Sequence, residues 1–292
     1  MERKKIIELI ALYELEPDLK QIWVEGVTDK RVLQRYIFET EIEGVKVGSI
    51  DNVDVPKEIV EKYGLTSSNR NRNIALALEL EAGINQKNRH AELMCVVDLD
   101  FDDYINGSIL GKYIYYTDFT TFEMYLFDEE IITKFIQLMA PGFSRPTKEL
   151  MDNLSQIGSA LFSVKAANEL LGWKMSLPDP LKLLSSDKNL VVEFDKDEFV
   201  DRALQASTRT NSKAELEQAI KECLDKQPED PRKKMRGHDF IDLFHFTLKK
   251  TIRPKEAGKS SALIPGYLIM AAKLSNLSEY NLFRELNKKF AS

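Results

Sequence analysis

Four aspartates lie within six residues of the chain, in the segment "DLDFDD" from Asp98 to Asp103. The apolar run that precedes them, Leu93 to Val97, is typical of a buried strand. Residues two apart in a strand share a face, and a pair such as Asp98 and Asp100 just beyond a strand end can hold one divalent cation. Hard carboxylate oxygens suit Mg²⁺ or Mn²⁺. The alternative is a solvated acidic turn, because Asp-x-Asp alone is a weak pattern.

A second acidic position closes the run "QIWVEGVTDK", residues 21–30. Glu25 follows a strand-like apolar run, Gly26 permits a tight backbone turn, and Thr28 or Asp29 can cap the next helix. By itself Glu25 is equally well explained as a cap or an ion-pair partner. Its occurrence one strand–helix unit before the Asp-x-Asp pair favours a shared metal site.

Positive charge is concentrated in one part of an acidic chain. Arg232 to Lys259 contains nine Lys or Arg and three Asp or Glu, a balance of +6, whereas the whole chain carries −6 and the remainder therefore −12. The net charge argues against a protein that coats nucleic acid indiscriminately, but a local basic segment suits a focused phosphate site. Alternatively, the basic residues form a solvated, lysine-rich surface that binds no phosphate. The predicted phosphate contacts precede a helix whose N-terminus adds donors for an anion: Lys233, Lys234, Arg236 and His238.

Strand-like and helical segments alternate in the first half of the chain. The strand-like runs are "QIWVEG", "GVKVGSI", "ELMCVVDLD" and "KYIYYTD", and helical spacing marks "TDKRVLQRYIFET", "SNRNRNIALALELEAGI" and "TTFEMYLFDEEIITKFIQLM". This order predicts an α/β fold with a parallel sheet covered by helices on both faces. Glu25, the Asp98 pair and Asp118 all follow strands, at the sheet edge where such folds gather functional groups. For the stretch Ser67 to Arg72 we favour a helix cap over a nucleic-acid contact.

Beyond about residue 135 the pattern becomes mainly helical, with "NLVVEF" as an isolated strand candidate. We therefore predict an α/β domain at residues 1–135 and a mainly helical domain at residues 136–292. No apolar run approaches the roughly 20 residues of a membrane helix, and the N-terminal stretch is predicted as an amphipathic helix rather than a signal peptide. Cys95 and Cys223 lie far apart in sequence, so we predict a cytoplasmic protein without disulfides or membrane contact.

The acidic motifs together resemble the Toprim domain, which topoisomerases, primases and OLD-like nucleases share. Its signature is a glutamate that closes the first strand and an Asp-x-Asp that closes a later one, here Glu25 in "VEGVTD" and Asp98/Asp100 in "VVDLDFDD". The OLD-like defence branch has a first motif similar to residues 24–29. Its later Thr/Asp stretch with a glutamate points to Glu123 in "TDFTTFEMYL", and "RGHDFIDLF" resembles its Gly-Lys-Asp motif, with His238 where lysine is common.

This resemblance implies a Toprim, Rossmann-like parallel sheet with helices on both faces, which would make residues 1–135 the catalytic domain. The mainly helical C-terminal region, residues 136–292, would serve dimerisation and substrate binding. The resemblance also implies metal-dependent phosphodiester cleavage with Mg²⁺ or Mn²⁺, for which the ligands would be Glu25, Asp98, Asp100 and Glu123. Glu25 would be either a ligand or the general base or acid. Asp29 would support the ligands or bind a second metal, and Asp102 and Asp118 are weaker candidates.

The sequence contains no Walker A pattern, and two cysteines cannot build the four-cysteine zinc site of a primase. A chain of this size with a helical C-terminal half is similar to the Toprim effectors of the PARIS anti-phage system, which work with a separate ATPase subunit. The likeness implies a toxic endoribonuclease for abortive infection that cleaves tRNA, is a homodimer when active and is sequestered by the ATPase when idle. The residues themselves do not separate RNA from DNA, so an OLD-like DNA nickase or a non-catalytic Toprim module bound to an ATPase stays open.

Overall fold

The computed structural model describes residues 3–85, 91–105, 107–255 and 257–291. The fold is α/β, with parallel sheets flanked by helices and a helical C-terminal region. Its strands are β1 (Lys4–Lys5), β2 (Gln21–Val24), β3 (Lys46–Ser49), β4 (Val53–Asp54), β5 (Leu93–Val97), β6 (Ile114–Tyr116), β7 (Leu184–Ser186) and β8 (Val192–Phe194). Its α-helices are α1 (Ile6–Leu15), α2 (Val27–Glu39), α3 (Lys57–Lys62), α4 (Asn69–Asn85), α5 (Glu129–Met139), α6 (Thr147–Leu170), α7 (Lys196–Ala206), α8 (Lys213–Asp225), α9 (Gly237–Leu248), α10 (Ile264–Ala271) and α11 (Asn281–Phe290).

The central sheet is parallel throughout and has the strand order β3-β2-β5-β6. Every residue of β2 and β5 is buried, which explains why both strands are continuously apolar or nearly so. In β2, Trp23 pairs in register with Gly48 of β3 and Cys95 of β5. All four strands of this sheet were predicted from the sequence.

Helices α1 and α4 pack together, and α4 also lies against β5. Their interface belongs to a core that contains Leu9, Trp23 and Leu80. The indole Nε1 of Trp23 donates a hydrogen bond to the Tyr13 hydroxyl at 2.9 Å. Gly83 lies near the end of α4, and a Cβ there would collide with the side chain of Ile10.

Three helical or strand predictions need correction. "TTFEMYLFDEEIITKFIQLM" forms a 3₁₀ turn at Phe122–Leu126 and then α5, because Asp128 caps a new helix by accepting the N–H groups of Glu130 and Ile131. Within the C-terminal half that was predicted as mainly helical, "YLIMAAKLSNLSEYNLFRELNKKF" divides into α10, a 3₁₀ segment at Leu274–Glu279 and α11. The "NLVVEF" strand is not isolated, since β8 pairs antiparallel with β7.

The chain forms two compact units, each discontinuous in sequence. The first contains Met1–Leu99, Ser108–Asp118 and Lys273–Ser292, and the second contains Asp100–Gly107 and Phe119–Ala272. The first unit holds the parallel sheet, and the second holds helices α5 to α10 and the β7–β8 hairpin. The predicted domains, residues 1–135 and 136–292, stay a prediction, because compactness alone does not show which part folds independently. Among the described helices, none has the length and apolarity to cross a membrane.

Candidate active site

In the first unit, two predicted motifs meet at the carboxyl end of the central sheet. Glu25 directly follows β2 and Asp98 directly follows β5, and these strands are parallel neighbours. The Glu25 Oε1 atom accepts the backbone N–H of Asp98 at 2.8 Å, across 73 positions of sequence. Both side chains are partly exposed. The fold therefore places the first glutamate and the first aspartate side by side at one sheet edge.

Asp29 closes the turn that carries Glu25. Its Oδ2 atom accepts the N–H of Gly26 at 2.8 Å, and its side chain is buried in the first turn of α2. A carboxylate at this place satisfies a donor ahead of the helix and interacts favourably with the helix dipole. Helix α2 begins at Val27, so Thr28 lies within the helix and is not its N-cap. Asp29 thus fixes the backbone that presents Glu25.

The start of α4 contacts the same two strand ends, which the sequence did not reveal. Asn69 donates from Nδ2 to the carbonyl oxygen of Glu25 at 3.3 Å, and Arg70 donates from Nε to that of Asp98 at 2.9 Å. The Arg70 guanidinium also lies 5.9 Å from the centre of the Tyr116 ring. The predicted cap is present as well, since the Ser68 hydroxyl oxygen accepts the N–H of the third helical residue at 3.1 Å.

Asn73, one turn further along α4, joins β2 to β5. Its amide Nδ2 donates to the carbonyl oxygens of Trp23 at 3.3 Å and Val96 at 2.8 Å, and the residue is fully buried. These carbonyls belong to the residues two before Glu25 and Asp98. A buried asparagine in the apolar stretch "NIALAL" signals a required partner, but the sequence does not say which one.

In the second unit, Asp100 has a left-handed backbone, with φ of 49°. The strand has already ended at Val97, so Asp98 and Asp100 both lie beyond it. They therefore do not share a strand face, in contrast to the prediction. Left-handed geometry is tolerated better by Asp than by most residues other than Gly. The N–H of Asp100 donates to the carbonyl of Thr120 at 2.9 Å, which holds the turn. The Asp100 carboxylate lies 3.0 Å from Nη2 of Arg236.

Glu123, also in the second unit, is buried beside the start of α9. It lies in the 3₁₀ turn at Phe122–Leu126 rather than in an α-helix. The N–H of Gly237, the first residue of α9, donates to the Thr121 hydroxyl oxygen at 3.1 Å. A Cβ on Gly237 would lie only 2.7 Å from the Cβ of Glu123, so only glycine fits here without displacement. A helix N-terminus is a favourable neighbour for a carboxylate.

Backbone hydrogen bonds fasten the predicted basic residues to this part of the second unit. Thr120 donates from its N–H to the carbonyl of Arg232 at 3.2 Å and from its hydroxyl to that of Met235 at 2.5 Å. The Tyr104 hydroxyl donates to the carbonyl of Lys233 at 3.3 Å. Lys233 and Lys234 are partly exposed, and His238 is exposed. The segment therefore has a fixed backbone and accessible cationic side chains.

In the second unit, helices α6 and α9 provide two further polar contacts, made by Lys165 and His245. Lys165 of α6 places its ammonium 2.5 and 2.8 Å from the two carboxylate oxygens of Asp239 in the first turn of α9. Nothing in the sequence spacing predicts this largely buried ion pair. The Nε2 atom of His245 lies 2.8 Å from the carbonyl oxygen of Gly258, to which it donates a hydrogen bond.

Asp118, the weaker candidate in the first unit, caps a helix. Its two carboxylate oxygens accept the N–H groups of Asn281 at 2.9 Å and Leu282 at 3.1 Å, at the start of α11. A carboxylate in this position is explained by capping.

Cys95 is buried without a disulfide, and burial raises the pKa of its thiol, so it is no candidate nucleophile. Burial likewise raises the pKa of Tyr104 in the second unit.

The chemistry of the predicted ligands suits a hard divalent cation, since all are carboxylates. Among the described residues, however, no group of three or more His, Cys, Asp or Glu side chains gathers in a way that could hold a metal ion. Several of the carboxylates already have partners within their own unit: Glu25 accepts an N–H, Asp29 closes a turn and Asp100 faces Arg236. Cation binding would require at least some of these contacts to be exchanged.

No protein-family model matches the chain, and no curated protein matches it either.

Proposed function

We propose that the chain is a metal-dependent nuclease of the Toprim type. The observation that carries this proposal is the contact between Glu25 and Asp98 at the ends of adjacent parallel strands. The fold thus brings two acidic residues from separate motifs to one edge of a buried sheet. Such an arrangement suits a cation-assisted reaction on a phosphate ester.

The proposed ligands are Glu25, Asp98, Asp100 and Glu123, with Mg²⁺ or Mn²⁺ as the cation. When bound, the cation would lower the pKa of a water molecule and offset charge on the phosphate. Glu25 is then either a ligand or the group that moves the proton. Asp29 keeps Glu25 in place through Gly26, and α4 binds the backbone carbonyls of Glu25 and Asp98 through Asn69 and Arg70.

Phosphate recognition is assigned to the basic segment that precedes α9. Lys233, Lys234, Arg236 and His238 project from a backbone tied to Thr120 and Tyr104. Basic side chains next to a helix N-terminus provide donors and positive potential for a phosphodiester. The net negative charge of the chain, −6, limits binding elsewhere on the surface.

The choice of RNA, and of tRNA in particular, rests on the resemblance to AriB, the Toprim effector of the PARIS system. The same resemblance supports a cytoplasmic anti-phage effector that kills its host, is sequestered by a separate ATPase subunit and dimerises when released. We assign dimerisation and substrate binding to the helical C-terminal region on this basis.

The proposed activity is tested by incubating purified protein and Mg²⁺ with tRNA or with supercoiled plasmid. We expect tRNA cleavage that EDTA abolishes and that Glu25→Gln lowers at least about a hundredfold. Asp103→Asn is the matched control, because Asp103 is an exposed aspartate of the same acidic stretch without an assigned role. Plasmid nicking without tRNA cleavage would instead identify an OLD-like DNA nickase. Cleavage that survives in Glu25→Gln would refute the assigned site.

A non-catalytic module that binds an ATPase is the second candidate. It is favoured by the absence, among the described residues, of three gathered metal-ligating side chains. Expression in cells separates the two. A nuclease effector is toxic as wild type and harmless as Glu25→Gln, whereas a regulatory module gives the same growth with both chains.

A further inference from the structure

An arginine lies at the sheet edge that presents Glu25 and Asp98. Arg70 belongs to the first turn of α4, and its Nε donates to the backbone carbonyl of Asp98 at 2.9 Å. The backbone N–H of Asp98 donates to the Glu25 carboxylate at 2.8 Å. A glutamate and an arginine from distant segments therefore bind the two backbone groups of one residue at the strand end. All three residues belong to the first unit.

Contacts with two adjacent strand ends fix the position of the Arg70 side chain. Its guanidinium lies 5.9 Å from the ring centre of Tyr116, the last residue of β6, which is within the range of a cation–π interaction. The Tyr116 hydroxyl donates to the carbonyl of Ile109 at 3.0 Å, and this bond holds the ring. Since β6 pairs with β5, the ring and the Asp98 carbonyl lie at neighbouring strand ends. The sheet itself therefore orients Arg70.

Helix capping does not account for the position of Arg70. The cap of α4 comes from Ser68, whose hydroxyl oxygen accepts the N–H of the third helical residue at 3.1 Å. Arg72 donates to the carbonyls of Ile50 and Val53 at 3.2 and 2.8 Å, so it joins α4 to the segment that follows β3. Arg72 thus has a structural explanation, whereas Arg70 places a partly exposed guanidinium beside two acidic residues.

The two acidic residues would repel a phosphate at this edge. Glu25 and Asp98 carry the same sign of charge as a phosphodiester, and a cationic side chain nearby offsets the repulsion. An arginine suits this task, because its guanidinium stays charged and its planar donors match the oxygens of a phosphate. Because the Asp98 carbonyl already holds Nε, less side-chain freedom is lost when a phosphate binds.

We propose that Arg70 binds the backbone phosphate of a nucleic acid that lies against Glu25 and Asp98. It is a phosphate contact supplied by the first unit, in addition to the basic segment of the second. This inference rests on the proposed function, because that function brings a phosphodiester to this sheet edge. The contact requires no bound metal ion. The stretch Ser67 to Arg72 then both caps α4 and contacts nucleic acid.

Two substitutions at this edge have opposite effects on the binding of a single-stranded oligoribonucleotide in EDTA. Arg70→Gln removes a phosphate contact, so the affinity at low salt falls about tenfold. The slope of log affinity against log salt concentration becomes shallower by about 0.7, the value for one phosphate contact to a single strand. Glu25→Gln removes a charge that repels the phosphate, so the affinity rises about threefold. A general loss of structure would lower the affinity of both variants.

Arg35→Gln is the matched control in the same unit. The Arg35 guanidinium pairs with Glu39 at 2.7 Å, one turn along α2, and the Arg35 side chain is 41% exposed. Arg35 lies about 12 Å along α2 from the end of the helix that follows Glu25. Its removal changes the net charge by the same amount as Arg70→Gln but leaves the salt slope within about 0.2 of wild type. Arg70→Lys keeps the charge and the salt slope but binds more weakly, because lysine lacks the planar donors.

The experiment is fluorescence anisotropy of a fluorescein-labelled oligoribonucleotide with the full chain, over a series of potassium chloride concentrations with EDTA throughout. Circular dichroism confirms that each variant is folded. We expect weaker binding and a shallower salt slope in Arg70→Gln, tighter binding in Glu25→Gln and a wild-type slope in Arg35→Gln.

An unchanged salt slope in folded Arg70→Gln would overturn the contact, and so would a wild type that binds no oligoribonucleotide in EDTA. Unchanged or weaker binding by Glu25→Gln would place the phosphate away from this edge and would overturn the contact as well. Cleavage in Mg²⁺ by the wild type tests the proposed function separately. If cleavage accompanies any of these results, the nuclease function stands and only the role of Arg70 is refuted.

Discussion

Replacement of Asn73 by alanine tests whether α4 sets the geometry of the two strand ends. Asn73→Ala removes the hydrogen bonds to the Trp23 and Val96 carbonyls, at 3.3 and 2.8 Å, from a fully buried position. Each buried hydrogen bond contributes about 1 kcal/mol net, and carbonyls that lose a partner add to the loss. We therefore expect the free energy of unfolding to fall by about 2–3 kcal/mol.

The assay is urea denaturation followed by circular dichroism, with Asn71→Ala as the control. Asn71 lies on the same helix, but among the described residues its side-chain amide donates to Thr66, through exposed contacts at 2.8 and 3.1 Å. An exposed substitution of this kind costs within about 0.5 kcal/mol. The comparison therefore separates the stability lost with the buried hydrogen bonds of Asn73 from the stability change caused by helix propensity.

Amide hydrogen exchange measures the local effect of Asn73→Ala at the strand ends. The Asp98 amide donates to Glu25 Oε1, so its exchange is slow only while the two strand ends keep their spacing. We expect faster exchange at this amide in Asn73→Ala and wild-type exchange in Asn71→Ala. A loss of stability below about 0.5 kcal/mol together with unchanged Asp98 exchange would refute the role assigned to α4.

Three further changes test single contacts. Gly237→Ala introduces a Cβ against Glu123 and should lower stability by about 1–3 kcal/mol, seen as a lower melting temperature; an unchanged melting temperature would contradict the close approach. Asp118→Ala should cost about 1 kcal/mol in urea denaturation without weakening Mn²⁺ binding, because this carboxylate caps a helix. Burial opposes ionisation of Asp230, but the hydrogen bonds and charge of Arg232 outweigh it and hold the pKa of Asp230 below its usual 3.8. A depressed folded-state pKa gives stability that is present above pH 3.8 and lost as pH falls through the folded pKa, so Asp230→Asn should flatten only the acid limb of stability against pH.

The parallel sheet could be predicted because its strands carry their own signal. β2 and β5 are buried on both faces, and this requirement appears in the sequence as apolar runs between helices. The position of Glu25 and Asp98 then follows, since both come directly after these runs. The start of α5, which the sequence analysis missed, could also have been predicted. Asp128 followed by two glutamates is a helix-start signal, and it marks the break before α5.

Contacts between distant segments could not be predicted in the same way. Periodicity shows which face of α4 is buried, but not that Asn73 reaches two strand carbonyls or that Arg70 reaches Asp98. The spacing of Asp98 and Asp100 suggested one strand face, whereas a left-handed residue turns the chain. The pairing of Asp100 with Arg236 depends on how the segments pack, which local pattern does not encode.

Anomalous diffraction at the manganese edge, from crystals soaked in Mn²⁺, tests the central claim most directly. We expect a peak within about 2.2 Å of carboxylate oxygens of Glu25 and Asp98. Glu25→Gln crystals treated identically should lose it. A saturating soak that leaves no peak at these carboxylates, with Glu25 still bonded to the Asp98 amide, would contradict a metal-dependent nuclease.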